Sequence, residues 1–547
     1  MNPRSFFKVS PAAGSFLLSL AMVFNSGEWV EAQSAAAGAK PNILYILVDD
    51  LGYGDISALN PGNKIKTPQI DKLAAESMVF TEAHGSSAVC TPSRYCILTG
   101  RYNWRSTMKE GVLGGFSRAL IEPERMTVAD LLKDHGYDTA CIGKWHLGMG
   151  WTRLPATGSD GGNEEAGAES GERPRIDFTK NIRRGPTTVG FDYFFGISAS
   201  LDMPPYAFIE NNHVTALPTI LAGRLTGADG KQTRVGPQVP GFEAVDVLPT
   251  LTAKAVDYIG RQAGSGAAGK RFFLYLALPT PHTPLSPSKE WLGKSGLNVY
   301  ADYVMETDDC IGKVLAALEK NNVARDTLVV MASDNGCAPA ADFPFLLAHG
   351  HDPSAGRRGY KADIYDGGHR IPMMVRWPGR VAAGGGCGGF VCLGDFMATC
   401  ADLLNVKLPD DAAEDSISFL PVLLNKAKTT ARQVLVESSI NGSFGLREGQ
   451  WKLALCPDSG GWSFPRPGKD NTDGWPRFQL FDISSDPAEK TNVMTQHPEI
   501  VQRLGRLMRD YIVNGRSTPG APQKNTPVKS WQQTKWLEEF TPGAHAE

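Results

Sequence analysis

Three observations predict an α/β fold built on a buried sheet sandwiched by helices. Residues 42–48, 272–278 and 328–333 are unbroken apolar runs, the composition of central strands covered on both faces. Segments with helical patterning fall between them, at 127–133, 253–262 and 300–318. From about Ser416 the pattern changes to short alternating strands and then an amphipathic helix over 498–513, which marks a second, smaller region.

The chain has 547 residues, 42% hydrophobic and 21% charged, enough for two domains with a large core. The net charge of −3 gives no general field for nucleic acid, so an anionic substrate must be met by locally placed cations. Arg4 and Lys8 precede an apolar run over 12–24 that is too short for a stable bilayer span. With the Val30-Glu31-Ala32 site behind it, residues 1–32 read as a secretory signal and the product as periplasmic or secreted. An uncleaved membrane anchor is the alternative, and no other stretch is apolar enough to span. Nine cysteines are too sparse for a disulfide-built scaffold. The expected division is a large domain over 40–415, a small α+β domain over 416–515, and a Pro- and Gln-rich tail over 516–547 that is expected to be poorly ordered.

The strand at 42–48 ends in Asp49-Asp50. Ligands gather at the carboxyl ends of strands in open α/β sheets, and adjacent carboxylates repel unless a cation holds them. A solvated strand end is the plainer alternative. Thr67-Pro68 starts a helix. In Cys90-Thr91-Pro92-Ser93-Arg94, Pro92 suits a first helical turn, so Cys90 stands at a helix N-terminus that favours an anion. Arg94, one turn on, points back to the same spot. These residues fit either an anion site bearing a thiol or a buried structural cysteine. A short strand over 139–143 delivers Lys144 and His146, two apart and on one side, or equally an exposed Lys beside a packed Trp-His pair.

Residues 157–185, rich in Gly, Ala and acid, read as a surface insertion. Asp202 and Tyr206 are either sugar contacts or turn chemistry. The run at 272–278 ends in Pro279-Thr280-Pro281-His282-Thr283-Pro284, whose prolines rigidify the loop. A fixed His there, with an ordinary pKa near ~6.5, suits a general acid. The run at 328–333 ends in Asp334-Asn335-Gly336. Asp49, Asp50, Asp334 and Asn335 together offer three carboxylates and an amide, a hard oxygen set for Ca²⁺ or Mg²⁺, with no zinc-type ligand cluster beside them. Arg357-Arg358-Gly359-Tyr360-Lys361 and Gly367-Gly368-His369-Arg370 follow in Gly-rich loops, where charge is more often a solvated face. A helix over 395–404 closes the first domain.

Cys90 to Arg94, followed by Leu98-Thr99-Gly100-Arg101, resembles the signature of the sulfatases, a family of the alkaline phosphatase superfamily. Gly143-Lys144-Trp145-His146-Leu147-Gly148, His282-Thr283-Pro284 and Arg358-Gly359-Tyr360-Lys361 resemble further segments of that family, and the likeness runs from about Pro41 to Asn492. It implies a large mixed, mostly parallel sheet between helices in a catalytic domain, with a smaller antiparallel sheet and packed helix after it. It implies that Cys90 becomes formylglycine, whose hydrate attacks sulfur with one hydroxyl and expels sulfate through the other. Lys144 and Lys361 would hold sulfate, Arg94 and His146 would orient the nucleophile, and His282 would protonate the leaving alcohol. Asp49, Asp50, Asp334 and Asn335, with residue 90, would hold one divalent ion, usually Ca²⁺, with Mg²⁺ the other option. The implied partners are a formylglycine-generating enzyme acting on the unfolded chain and a sulfated saccharide. Asp202, Tyr206 and His351 are candidate sugar contacts, and Arg357, Arg358, His349, His369 and Arg370 are weaker site candidates. Two other functions stay open: a phosphate or phosphonate monoester hydrolase of the same superfamily, and a catalytically inactive sulfated-glycan binder.

Overall fold

The computed structural model describes residues 40–155, 175–222, 225–264 and 270–541. The expected signal at 1–32 and the 157–174 portion of the insertion lie outside the described residues.

The strands in chain order are β1 (Asn42–Val48), β2 (Met78–His84), β3 (Tyr137–Lys144), β4 (Tyr193–Ile197), β5 (Ile209–Glu210), β6 (His213–Val214), β7 (Ile220–Ala222), β8 (Gly236–Gln238), β9 (Arg271–Ala277), β10 (Thr327–Ser333), β11 (Met373–Arg376) and β12 (Gly385–Cys392). Apart from the β7–β8 ribbon they form one ten-stranded sheet, ordered β12-β2-β11-β10-β1-β9-β3-β4-β5-β6. The three apolar runs of the sequence are its central strands. β1 lies parallel between β9 and β10, with Leu47 opposite both Ala277 and Ala332. Their carboxyl ends are therefore level.

Alternate residues of β1 serve opposite faces. Ile43, Tyr45 and Leu47 pack with Leu98, Leu131 and Phe396, from helices Cys90–Thr99, Val128–Asp134 and Asp395–Leu404. Leu44, Ile46 and Val48 pack with Leu251, Ile259 and Val304, from helices Val247–Gly264 and Val299–Lys320. At the end of β3, Gly143 has φ +124°, and a Cβ there would stand 1.9 Å from the Ala277 carbonyl oxygen of β9. Only glycine permits this close approach, which sets Lys144 beside the tips of the central strands.

The C-terminal region is a four-stranded antiparallel meander: β13 (Val434–Ser438), β14 (Phe444–Glu448), β15 (Trp451–Ala454) and β16 (Gln479–Asp482). Helix Pro498–Val513 packs on it through Leu504 and Met508. The tail corrects the sequence expectation of poor order. Through Thr541 it folds back onto this region, with Trp536 and Phe540 buried in the same cluster. The Thr526 N–H donates to the Arg105 carbonyl (2.6 Å), and Lys109 Nζ sits 4.2 Å over the Trp531 ring. The tail is mostly polar, but its aromatic side chains bury enough apolar surface to hold it.

A buried charge network joins the two sheets. Lys452 Nζ lies 2.7 Å from Asp366 Oδ1 and 2.8 Å from Glu489 Oε1. His84 and His369 meet Nδ1 to Nδ1 at 3.0 Å, and Glu437 stands 3.5 Å and 3.3 Å from their rings. All nine cysteines are buried and unpaired. Among the described residues, no helix is long and apolar enough to cross a membrane.

Candidate active site

The level strand tips are tied by backbone. The Asp334 N–H donates to the Val48 carbonyl (3.0 Å), and the Asp49 N–H donates to the Thr280 carbonyl (3.0 Å), so β1, β9 and β10 end at one place. Asp50 takes a left-handed φ of +65°, a conformation that Asp tolerates better than most residues. Asp49, Asp50, Asp334 and Asn335 are all buried there. Asp50 N–H donates to Asp334 Oδ1 (3.3 Å), and Asn335 Nδ2 donates to Asp50 Oδ1 (2.8 Å).

Every residue of helix Cys90–Thr99 is buried, and its first residue meets the tips. Cys90, Asp49, Asp50 and His282 each bring a ligand-type atom within 4.8 Å of the others. Burial pushes the Cys90 thiol up to about 12, although Lys144 and Lys361 pull the other way. Arg94 grips Asp334 Oδ2 through Nε (3.1 Å) and Nη2 (2.8 Å), and its Nη1 donates to the Lys144 carbonyl (2.9 Å).

Two lysines flank this point. Lys144 Nζ is 2.5 Å from Asp49 Oδ2 and 2.5 Å from Ser200 Oγ. Lys361 Nζ is 2.7 Å from Asp50 Oδ1. Burial opposes the Lys361 charge, but Asp50 outweighs it and raises its pKa. His282 donates from Nδ1 to the Thr283 carbonyl (2.8 Å), which leaves Nε2 facing Ser200 Oγ (3.4 Å) and Asp50 Oδ2 (3.7 Å). His146 donates from Nε2 to the Leu113 carbonyl (2.7 Å), and its buried Nδ1 finds no protein partner. Burial first, then Lys144 and Arg94, hold its pKa well below the ordinary value, so the ring is neutral. Its backbone carbonyl accepts from Thr91 Oγ1 (3.0 Å), which fixes it beside the Cys90 turn.

The oxygen cluster fits a hard cation. Burial first, and then the charge of Asp49, push Asp334 up to about 7 despite Arg94. Asp49 itself stays well below the usual carboxylate range, because Lys144, His282 and Arg94 outweigh the cost of burial. Asp49 Oδ1 and Asn335 Oδ1 are buried acceptors without a protein partner. Unmet acceptors among crowded carboxylates are what Ca²⁺ or Mg²⁺ would satisfy.

Other sequence candidates lie elsewhere. His351 braces the loop behind Asp50, its Nε2 2.8 Å from Asp55 Oδ1, while Tyr300 OH donates to Asp55 Oδ2 (2.5 Å). His349 stacks on Phe345. Arg357 and Arg370 lie over Tyr53, and Arg358 over Tyr365. His369 belongs to the junction network. Tyr206 OH lies in hydrogen-bond reach of the carbonyls of Asp202 and Arg234, so it ties its own loop to the segment before β8. Ser200 is a site residue that the sequence reading missed. Its signal was positional: it follows β4, the parallel neighbour of the strand that carries Lys144.

The sequence profile of the family described as Sulfatase matches residues 41–406. The N-acetylgalactosamine-6-O-sulfatase of Bacteroides thetaiotaomicron is 33% identical over 532 residues, which cover 90% of this chain and 97% of the relative. The human N-acetylgalactosamine-6-sulfatase is 27% identical over 537 residues, covering 92% and 91%. A solved sulfatase structure from work on glycosaminoglycan metabolism by Bacteroides thetaiotaomicron superposes with a TM-score of 0.72 at 32% identity, covering 86% of this chain and 99% of that one. A profile match over most of the chain, and a relative similar along almost its whole length, agree with the fold: this protein is an enzyme of the sulfatase family.

Proposed function

We propose that the enzyme removes a sulfate from a sulfated glycan, with residue 90 acting as formylglycine in the domain over 40–415. The observation that carries this is the meeting of Cys90 with Asp49, Asp50 and His282 between two buried lysines. An unmodified Cys90 is a poor nucleophile, because burial keeps the thiol protonated far above neutral pH. The hydrate of formylglycine carries two hydroxyls on one carbon: one attacks sulfur as the alcohol leaves, and the other gives up its proton to form C=O as the C–O bond to sulfate breaks, which returns the aldehyde. Asp49, Asp50, Asp334 and Asn335 would hold a divalent cation, which when bound would supply positive charge beside a sulfate oxygen and the attacking hydroxyl.

The chain's own residues do the rest. Lys144 and Lys361 neutralise sulfate oxygens as they share out their carboxylate contacts. Arg94 fixes Asp334 and the turn that carries residue 90. His146, neutral and with a bare Nδ1, accepts a hydrogen bond from the nucleophile. His282 holds a proton on Nε2 for the leaving alcohol, with Asp50 at 3.7 Å stabilising the imidazolium.

The relatives named above are sulfatases of N-acetylgalactosamine 6-sulfate, so that sugar is the first substrate to try. The proposed setting is secretory, with a formylglycine-generating enzyme acting on the unfolded chain. The test has two parts. Mass spectrometry of the peptide holding residue 90 should find the aldehyde in active enzyme, and Cys90→Ala should abolish turnover while leaving the fold intact. Matched sugar 6-sulfate and 6-phosphate should then differ strongly in favour of sulfate. An unmodified thiol in active enzyme, or a preference for phosphate, would overturn the proposal.

A further inference from the structure

A cleft of about 670 Å³ opens between the C-terminal meander's loops and the tail. Its walls include Asn441, Asp458, Asp473, Trp475, Lys535 and Trp536. Trp475 is 45% exposed and meets Phe464, itself 65% exposed, at 6.3 Å between ring centroids. Trp536 is buried, and its indole N–H has no protein partner. Large rings left in water beside amides, carboxylates and an unmet donor form a surface suited to a ligand with flat C–H faces and hydroxyl edges.

One wall of the cleft is tied to the segment that follows Lys361. The Ile440 N–H, next to Asn441, donates to the Ala362 carbonyl (2.9 Å). The Trp462 and Ser463 N–H groups donate to Asp363 Oδ1 (2.7 and 3.0 Å). Ala362 and Asp363 directly follow Lys361, so the segment holding the sulfate-side lysine is bonded to the loop that carries Asn441 into the cleft and to the neighbouring turn at Trp462 and Ser463.

The charge of the cleft selects its occupant. Glu110, Asp458 and Asp473 line it, while of its two cations Arg477 is already paired with Glu539. The carboxylates are in excess, which repels sulfate and accepts hydroxyl donors.

We infer that this cleft binds uncharged sugar units of the glycan chain, next to the sulfated unit held in the catalytic centre. The inference rests on the sulfatase reading of that centre. It makes the enzyme selective for oligosaccharides over a sulfated monosaccharide.

The test compares wild type and Trp475→Ala on two substrates: N-acetylgalactosamine 6-sulfate, and a trisaccharide with this unit at one end and two neutral hexose or N-acetylhexosamine units beyond it. Trp475 is half-exposed, so its replacement leaves the fold standing. The ratio of KM values, trisaccharide over monosaccharide, should rise about tenfold in the variant, as for loss of one aromatic anchor. The unsulfated trisaccharide should also quench wild-type tryptophan fluorescence and bind the variant about tenfold more weakly. Binding of that probe without turnover of either sulfated sugar would sink the proposed reaction and still support the cleft. Unchanged ratios and unchanged probe binding in Trp475→Ala would overturn the cleft, as would tighter binding of a trisaccharide sulfated on its distal units.

Discussion

Lys144 Nζ lies 2.5 Å from Asp49 Oδ2, with both side chains fully buried. The pair couples β3 to β1 at the point where Cys90 enters. Removing the amine takes away the nearest cation of a buried carboxylate and leaves Asp49 with Arg94 at 3.7 Å, and breaking a buried pair costs up to about 3–5 kcal/mol where it has been measured. We expect Lys144→Ala to lower Tm and to cut kcat/KM by about 10²–10³, the scale for a lost charge-stabilising donor. Steady-state kinetics beside thermal unfolding separates the two effects, and full activity in a stable variant would contradict the assignment.

The rigid His282 loop gives a test by leaving group. An alcohol needs a proton to depart, whereas an acidic phenol does not. His282→Ala should therefore cost about 10²–10⁴ in kcat on a sugar sulfate and far less on a nitrophenyl sulfate. Equal losses on both would remove the acid role.

The unmet oxygens of Asp49 and Asn335 lead to a metal test. EDTA treatment should abolish turnover and Ca²⁺ or Mg²⁺ should restore it. Saturating ion should also raise Tm, since binding at 100 times Kd contributes about 2.7 kcal/mol. Asp49→Asn should lose that rise. A Tm indifferent to ions in wild type would rule against the site.

Glu437, in the junction network, sets a pH dependence. Burial first, and then Asp366 and Glu489 against Lys452, push its carboxyl up to about 8 from 4.5. The folded state therefore holds a proton that the unfolded chain has released, and stability falls as pH rises through that window. Glu489, pushed up to about 7, acts in the same direction up to that pH. His84, held down to about 4 by burial, acts oppositely, but only below its ordinary 6.5. The decline from Glu437 should thus stand clear between about pH 7 and 8. Glu437→Gln should flatten Tm over that range, and an unchanged slope would assign the decline to another group.

Gly505 reverses an ordinary helix rule. Alanine normally stabilises a helix interior relative to glycine by up to about 1 kcal/mol. Here a Cβ would stand 2.2 Å from the Phe540 ring. We expect Gly505→Ala to destabilise by about 1–3 kcal/mol, and Gly505→Ala with Phe540→Ala to lose that specific clash. A more stable single variant would show that the tail is not packed there.

The central strands were legible because burial on both faces confines their polar residues to the ends, so the apolar middles of β1, β9 and β10 stand out as runs. The acidic tips at Asp49-Asp50 and Asp334-Asn335 were legible for the complementary reason: polarity that abrupt marks a strand end. β12, Gly-Gly-Cys-Gly-Gly-Phe-Val-Cys, is half glycine, which leaves too few side chains to carry a period, and its place at the sheet edge is set by pairing with β2 alone. Ser200 was missed because a serine in a Ser-Ala-Ser loop looks like any turn, and only the β3–β4 pairing brings it to Lys144. The tail was misjudged because three aromatics in a polar stretch find their partners only in tertiary structure.

The grip on Arg101 has a consequence for the order of synthesis. Helix Cys90–Thr99 has no exposed residue, so any enzyme that alters residue 90 must reach it before the chain closes. Arg101, just past that helix, donates to the carbonyl of Lys524, 423 residues further along. At ribosomal rates of about 5–20 residues per second, that contact forms roughly 20–85 s after the segment emerges. Lys524 is translated long after the helix it helps to hold, and the delay is an interval in which a modification of residue 90 would precede that contact.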